Sequence, residues 1–375
     1  MKTSRLIVLF AAILLSACGG SDPLQPSDPT PAAPASPYQP SIYKWGLRDL
    51  GQACGVKIGA AVTLSDFGDD SLRVILKRDF EAVTFGNEMK HDAIVQASGE
   101  LNFARADEMA GWTKDCGADL FGHTLGWHSQ QQTDYLNKLI ADAPDEATAA
   151  ARIREAHKSW VDGMIAHFDA YAWDVVNEVF NDDGTWRSSS TTQPNYHVFV
   201  WGNYYPDGMK GFVDAAFRSA REALEREGKK ADLYINDYNL EWSDAKLEAL
   251  CKYAEGNPDV TGVGTQMHIS ADVDRKKVSS MLERMVKTGK KVRISELDVT
   301  VGNTSQAETI VYIFDQYLKL VPAAQRGGIT FWGVSDKRSW LGADKQPLLY
   351  NSLYRRKDAY LRLHEYLLDR SGLKQ

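Results

Sequence analysis

"ATAAARIREAHKSWVDGMIAHF" (147–168) leads almost directly into "AYAWDVVNE" (170–178). The first stretch has helical periodicity, with Ala150, Ile153, Ala156, Trp160 and Ile165 able to share one face. The second is a short apolar run that reads as a buried strand. It ends in Asn177 and Glu178 side by side. An ionised carboxylate is seldom buried without a partner, because leaving water costs it its hydration. The fold must therefore account for a hydrophobic strand that finishes in a glutamate.

The same unit recurs along the chain. Apolar runs stand at 56–63, 81–86, 119–127, 170–178, 232–239, 262–269, 291–299 and 328–336. Helical patterns separate them, clearest at 147–168, at 207–227 and at 274–289, where Gly289 is a natural helix stop. Eightfold alternation of strand and helix predicts a parallel sheet with crossover helices, closed into a single (β/α)₈ TIM barrel. A doubly wound open sheet is the alternative. It would usually carry a Gly-rich phosphate turn after its first strand, and "VTLSDFGDD" (62–70) is not one.

Polar residues collect at the C-terminal ends of these runs. Asn87 and Lys90 follow the second run, and His123, Trp127 and His128 lie at the third. Asn177 and Glu178 close the fourth; Asn236, Asp237 and Asn239 close the fifth. Gln266 and His268 come from the sixth, Glu296 and Asp298 from the seventh, and Trp332 from the eighth. One buried His or Gln is usually a satisfied core group. The same placement on seven strands marks the barrel end where active sites are built. Glu178 and Glu296 belong to the fourth and seventh strands, across the mouth from each other. Paired carboxylates are what glycosidic cleavage needs: one protonates the leaving oxygen, the other attacks the anomeric carbon or activates water. A separation of about 5–5.5 Å gives retention and about 6.5–9.5 Å inversion.

"GHTLGWHSQ" (122–130), "WDVVNE" (173–178), "NDYN" (236–239), "GTQMHI" (264–269), "ISELDV" (294–299) and "FWGVSD" (331–336) together carry a family resemblance. In this order, over nearly the whole folded region, they resemble glycoside hydrolase family 10 endo-xylanases. The resemblance implies a retaining double displacement on xylan, with no cofactor and no metal. Glu178 would be the general acid/base and Glu296 the nucleophile. His268 would hydrogen-bond the nucleophile and be held by Asp298, which shares a strand face with Glu296. Asn177 matches the residue that bonds the sugar 2-hydroxyl. Asn87, Lys90, His123, Trp127, Gln130 and Gln266 match substrate-binding positions, most of them lining the glycone side. Trp332 and Trp340 match the floor and wall around the reacting sugar, and Tyr238 matches a motif toward the aglycone. One departure stands after the second strand. The family commonly reads T-P-E-N followed by lysine and tryptophan, whereas this chain reads "TFGNEMKH" (84–91). Gly86 replaces a glutamate that binds a sugar further out, so weaker binding of the second glycone sugar is expected. Glu88 either substitutes for it or faces solvent.

Composition narrows the alternatives. The 375 residues are 43% hydrophobic and 25% charged, with a formal charge of −7, so a large core is available and a basic nucleic-acid footprint is absent. Ten Trp and sixteen Tyr suit sugar faces as well as cores. Residues 1–17, with Lys2, Arg5 and the apolar run "LIVLFAAILL" (6–15), read as a secretory signal. "LSAC" (15–18) resembles a lipobox, which implies lipidation of Cys18, export and a lipid anchor in the bacterial cell envelope; an ordinary signal peptide is the alternative. Residues 18–41 read as a Pro/Ser-rich tether, and 42–375 as one catalytic domain, expected to be a monomer. Cys54, Cys116 and Cys251 remain, an odd number that leaves at least one thiol free. Two other functions stay open: a related barrel glycosidase acting on β-glucan or cellulose, and a non-catalytic glycan-binding lipoprotein.

Overall fold

A computed structural model describes residues 43–189 and 197–374. The signal segment, Cys18 and the tether lie outside the described residues. Among the described residues nine parallel strand segments form the sheet: β1 Ile58–Val62, β2 Ala82–Phe85, β3 Asp119–His123, β4 Ala172–Asn177, β5 Asp232–Asp237, β6 Gly262–Thr265, β7 His268–Ser270, β8 Lys291–Thr300 and β9 Arg326–Phe331. Their order is β6-β5-β4-β3-β2-β1-β9-β8-β7, and an additional β6–β8 pairing closes the ring. β6 and β7 are two halves of one barrel strand, both pairing with β8. The apolar run expected at 262–269 is therefore interrupted at Gln266–Met267, with Met267 at φ 60°. The barrel has eight strand positions, the fourth being β4 and the seventh β8.

Strands buried on both faces read as continuous apolar runs, and every residue of β1, β2 and β4 is buried. Most of the apolar core lies between the strands and the surrounding helices. Inside the barrel Phe121, Ala172 and Tyr234 form a second, small cluster. Arg293 reaches into it from β8. Its guanidinium lies 3.7 Å from the Phe121 ring centroid and donates to the Tyr171 hydroxyl (2.9 Å) and Thr330 Oγ1 (2.5 Å). These contacts replace part of the hydration that a buried cation loses.

The helix opening the fourth repeat spans Glu146–His167, capped by Asp145, whose carboxylate accepts from the Thr148 N–H at 2.7 Å. Its buried residues are Ala149, Ile153, His157, Trp160, Val161, Met164 and Ile165. The buried stripe is thus rotated from the expected one: Ala149 replaces Ala150, and His157 replaces Ala156. His157 is accommodated as a neutral ring, since burial pushes it down to about 4. The helix opening the seventh repeat is Arg275–Val286, and Gly289 beyond it takes φ 72°, open to glycine without side-chain strain. Cys54, Cys116 and Cys251 are all free thiols. Among the described residues no helix is long and apolar enough to cross a membrane.

Candidate active site

Asn177 ends β4, Gln266 follows β6, His268 opens β7, and Glu296 and Asp298 lie within β8. The barrel brings these side chains into one hydrogen-bonded set. Asn236, fully buried on β5, is its centre. Asn236 Nδ2 donates to Glu296 Oε1 at 2.9 Å and to Asn177 Oδ1 at 3.0 Å, while its own Oδ1 accepts from Ser295 Oγ at 2.6 Å. Gln266 Nε2 donates to Asn177 Oδ1 and Glu178 Oε1, both at 3.1 Å. Asn177 Nδ2 reaches Glu178 Oε1 at 3.3 Å. The two carboxylates are thereby joined through neutral amides. Gly264 makes room for this: a Cβ there would come within 2.5 Å of Asn236 Oδ1.

Glu296 is held by charge as well. His268 Nε2 lies 3.3 Å from Glu296 Oε2, and His268 Nδ1 lies 2.8 Å from Asp298 Oδ2. Burial alone would push the ring down, but Asp298 and Glu296 overcome it and raise His268 to about 10. Burial also acts to raise Glu296. The His268 hydrogen bond and the charges of His123, His268 and Lys90 outweigh it and hold this carboxyl below its ordinary value. Asp298 Oδ2 additionally accepts from the Trp340 indole N–H at 2.8 Å. Trp340 is 54% exposed, with its ring 5.0 Å from that of His268.

Glu178 stands just beyond β4 with φ 59°, a left-handed conformation rare outside glycine. Its backbone is pinned on both sides: its N–H donates to Asn236 O (2.9 Å), and Arg187 Nε donates to its carbonyl (2.7 Å). His128 Nε2 lies 3.9 Å from Glu178 Oε2. Burial lowers His128 to about 4 against the opposing pull of Glu178, so this neighbour is neutral near pH 7.

The remaining expected residues form the walls. Lys90 Nζ donates to Gln130 Oε1 at 2.7 Å and sits 4.7 Å from the Trp127 ring centroid. Gln130 Nε2 approaches exposed Asn87 at 3.4 Å. His123 Nδ1 contacts Asp174 Oδ2 at 2.8 Å, and the Trp332 ring lies edge-on to both His123 (5.3 Å) and His268 (6.3 Å). Tyr238 is engaged internally. Its hydroxyl accepts from Arg187 Nη2 at 3.1 Å, and Lys246 Nζ lies 3.4 Å from its ring centroid.

Glu88 does neither thing expected of it. It is 4% exposed, and its two oxygens accept from the Leu64 N–H (2.8 Å) and the Asn87 N–H (3.3 Å). The carboxylate braces the loops after β1 and β2. His91, standing where the family has tryptophan, is buried edge-on to Trp160 and Trp201, and its Nδ1 accepts from the Gln132 N–H at 3.0 Å. Sequence reasoning passed over Asp174, although a charged residue inside an apolar strand was a visible signal. It gave Asn236 no role beyond a strand-end polar group, and it missed Arg187, whose loop carries no periodic pattern. Among the described residues no cluster of His, Cys, Asp or Glu is arranged to hold a metal ion.

A closed (β/α)₈ barrel with two amide-bridged carboxylates at the C-terminal ends of its strands has the layout of a glycosidase. The sequence signature of glycosyl hydrolase family 10 spans residues 46–366, and the chain belongs to that family. Endo-1,4-beta-xylanase 3 of Hypocrea jecorina is 32% identical over 294 residues, covering 76% of this chain and 75% of that protein. Endo-beta-1,4-xylanase Xyn10C of Cellvibrio japonicus is 29% identical over 357 residues, covering 84% of this chain and 56% of its own length. Among solved structures, xylanase 10B from Thermotoga petrophila RKU-1 in complex with xylobiose is similar with a TM-score of 0.73 and 25% identity, covering 89% of this chain and all of that one.

Proposed function

We propose that this chain is an endo-acting, retaining β-1,4-xylanase. The observation that carries the reading is the unequal setting of its two carboxylates. Glu296 is pulled toward its ionised form by a cationic His268, whereas Glu178 is met by neutral amides and a neutral His128. A nucleophile must stay ionised and an acid must hold a proton to give.

In the first step Glu296 Oε attacks the anomeric carbon of the sugar before the cleaved bond. The C–O bond to the leaving sugar breaks, and Glu178 protonates that oxygen. The product is a glycosyl ester on Glu296. In the second step Glu178 takes a proton from water as its oxygen attacks the same carbon, and Glu296 leaves as a carboxylate. Two inversions give net retention. Asn177 Oδ1 already accepts two hydrogen bonds, from Asn236 and Gln266, so its Nδ2 is the group available to donate to the sugar 2-hydroxyl. That bond strengthens as the oxocarbenium-like transition state forms. Lys90, Gln130, Trp127, His123, Trp332 and Trp340 hold the glycone, with the reacting sugar over the tryptophans.

The named xylanase relatives and the xylobiose complex of a similar barrel support xylan as substrate. Product analysis on xylan and on a soluble cellulose derivative, with anomeric configuration followed by NMR, tests the reading. Release of β-configured xylo-oligosaccharides from xylan alone is expected. Activity on the cellulose derivative alone would favour the glucanase reading, α-configured first products would remove the retaining step, and no activity on either would favour a glycan-binding protein. We further read the chain as an exported monomer lipidated at Cys18. Labelling with a fatty-acid analogue that persists in a C18A variant would reject the lipidation.

A further inference from the structure

The loops after β2 and β3 supply much of the glycone wall, Lys90 from the first and Trp127 and Gln130 from the second. Their side chains act together only while the two loops keep a fixed spacing. Gln130 carries the strain of that arrangement: its backbone takes φ 50°, a left-handed conformation that is costly for a residue with a Cβ. Hydrogen bonds between the loops hold it there. Lys90 Nζ donates to the Gln130 side chain at 2.7 Å, the Asp92 N–H donates to Gln130 O at 3.0 Å, and the Gln132 N–H donates to His91 Nδ1 at 3.0 Å.

His91 is the member of this set that lies away from the mouth. It is 3% exposed, with its ring edge-on to Trp160 (5.2 Å) and Trp201 (5.7 Å). Those two indoles donate in turn to the carbonyls of Leu125 (2.8 Å) and Trp127 (2.9 Å) in the loop after β3. A backbone N–H only donates, so Nδ1 is the bare nitrogen of a neutral ring that carries its proton on Nε2. Burial, with His157 nearby adding to it, lowers the ring to about 3 and keeps it in that form. An indole in this place would offer a donor and no acceptor, so the bond to Gln132 depends on histidine.

We propose that His91 is a positioning residue for glycone binding: by accepting from the Gln132 N–H it ties the loop after β3 to the loop after β2 and keeps Gln130 against Lys90. The inference rests on the xylanase reading above, since its readout is a xylo-oligosaccharide substrate. Without the acceptor the Gln132 N–H loses its partner, and Gln130 is free to relax out of its left-handed conformation, which parts it from Lys90. The loss falls on sugar binding, because the amides that join Glu178 and Glu296 are held from other strands.

The test uses the full chain as wild type, H91N, H91F, Q132A and Q132P, with an aryl β-xylobioside as substrate. H91N keeps an acceptor near the position of Nδ1, whereas H91F keeps a ring and loses the acceptor. Q132P removes the N–H instead, and the φ of −75° at Gln132 already suits proline; Q132A controls for the lost side chain. H91F and Q132P are each expected to raise KM about fivefold to tenfold, with kcat within about twofold of wild type. H91N and Q132A should stay within about twofold in both. The H91F/Q132P double variant should lose no more than the worse single one, since both remove the same bond. An unchanged KM in H91F, equal losses in H91N and H91F, additive losses in the double variant, or a fall in kcat at constant KM overturns the proposal. If H91F fails to fold in a thermal melt, Q132P against Q132A carries the same KM test. A wild type inactive on the xylobioside fails the xylanase reading itself, a result separate from any change in KM.

Discussion

Glu178 and Glu296 are the same amino acid at the same end of the same barrel, yet they are held in opposite ways. Glu296 lies within a strand, buried, between Asn236 and a histidine that Asp298 keeps charged. Glu178 lies one residue past a strand, partly exposed, and its carboxylate accepts from the uncharged amides of Gln266 and Asn177. The difference comes from the second partner of each neighbouring histidine. His268 has a carboxylate behind it and is raised to about 10. His128 Nδ1 has no hydrogen-bond partner among the described residues, and burial lowers the ring to about 4. Glu296 is therefore held toward its anionic form, while the Glu178 carboxylate stands among uncharged partners.

The largest expected effect removes the anion. E296Q preserves shape and hydrogen-bonding atoms but cannot form the glycosyl ester, so kcat on xylan should fall about 10⁴-fold or more. Near-normal reducing-sugar release by this variant would break the comparison at its stronger end. E178A should lose about 10²–10⁴-fold on xylan and much less on an aryl xyloside with a good leaving group, which needs little protonation. Equal losses on both substrates would mean that Glu178 is not the proton donor.

Stability against pH sharpens the same contrast. His268 is raised from 6.5 to about 10, so its contribution is fully present below about pH 6.5 and is lost as pH rises through about 10. Glu296 is lowered from 4.5, so its contribution is present above about pH 4.5 and is lost as pH falls through its lowered value. An H268Q variant should therefore lose less of its melting temperature between pH 6.5 and pH 10 than wild type, by about 2 °C or more. Parallel melting curves would show that the ring carries no extra proton.

The smallest effect concerns the outer glycone channel. A Cβ at Gly86 would meet only ordinary contacts, with Thr63 Cγ2 at 3.4 Å and Val62 O at 3.6 Å, and the backbone there is not left-handed. G86E should therefore fold and raise the gain in kcat/KM from a second glycone sugar by about threefold to tenfold. No change would show that this sugar is already bound by other groups.

Much of this molecule was legible before folding was considered. Apolar runs alternating with helical periods specify a barrel, because a parallel strand covered on both faces has no polar alternation to hide it. Residue chemistry at the strand ends marked the mouth and its two carboxylates for the same reason: polar groups that interrupt apolar strands have few other uses. What the sequence left undecided depends on the directions of side chains separated along the chain by tens of residues. Asp174 pairs with His123, Asn236 spans from Asn177 to Glu296, and Arg187 fixes the carbonyl of Glu178. Glu88 was ambiguous on paper, and only the approach of the Leu64 and Asn87 amides committed it to the backbone. Sequence by itself determined which chemical groups are present and at which end of the barrel they lie. Tertiary structure alone decided which of them share protons, because burial and partnership set the charge of a carboxylate or a histidine, and neither is written in local sequence.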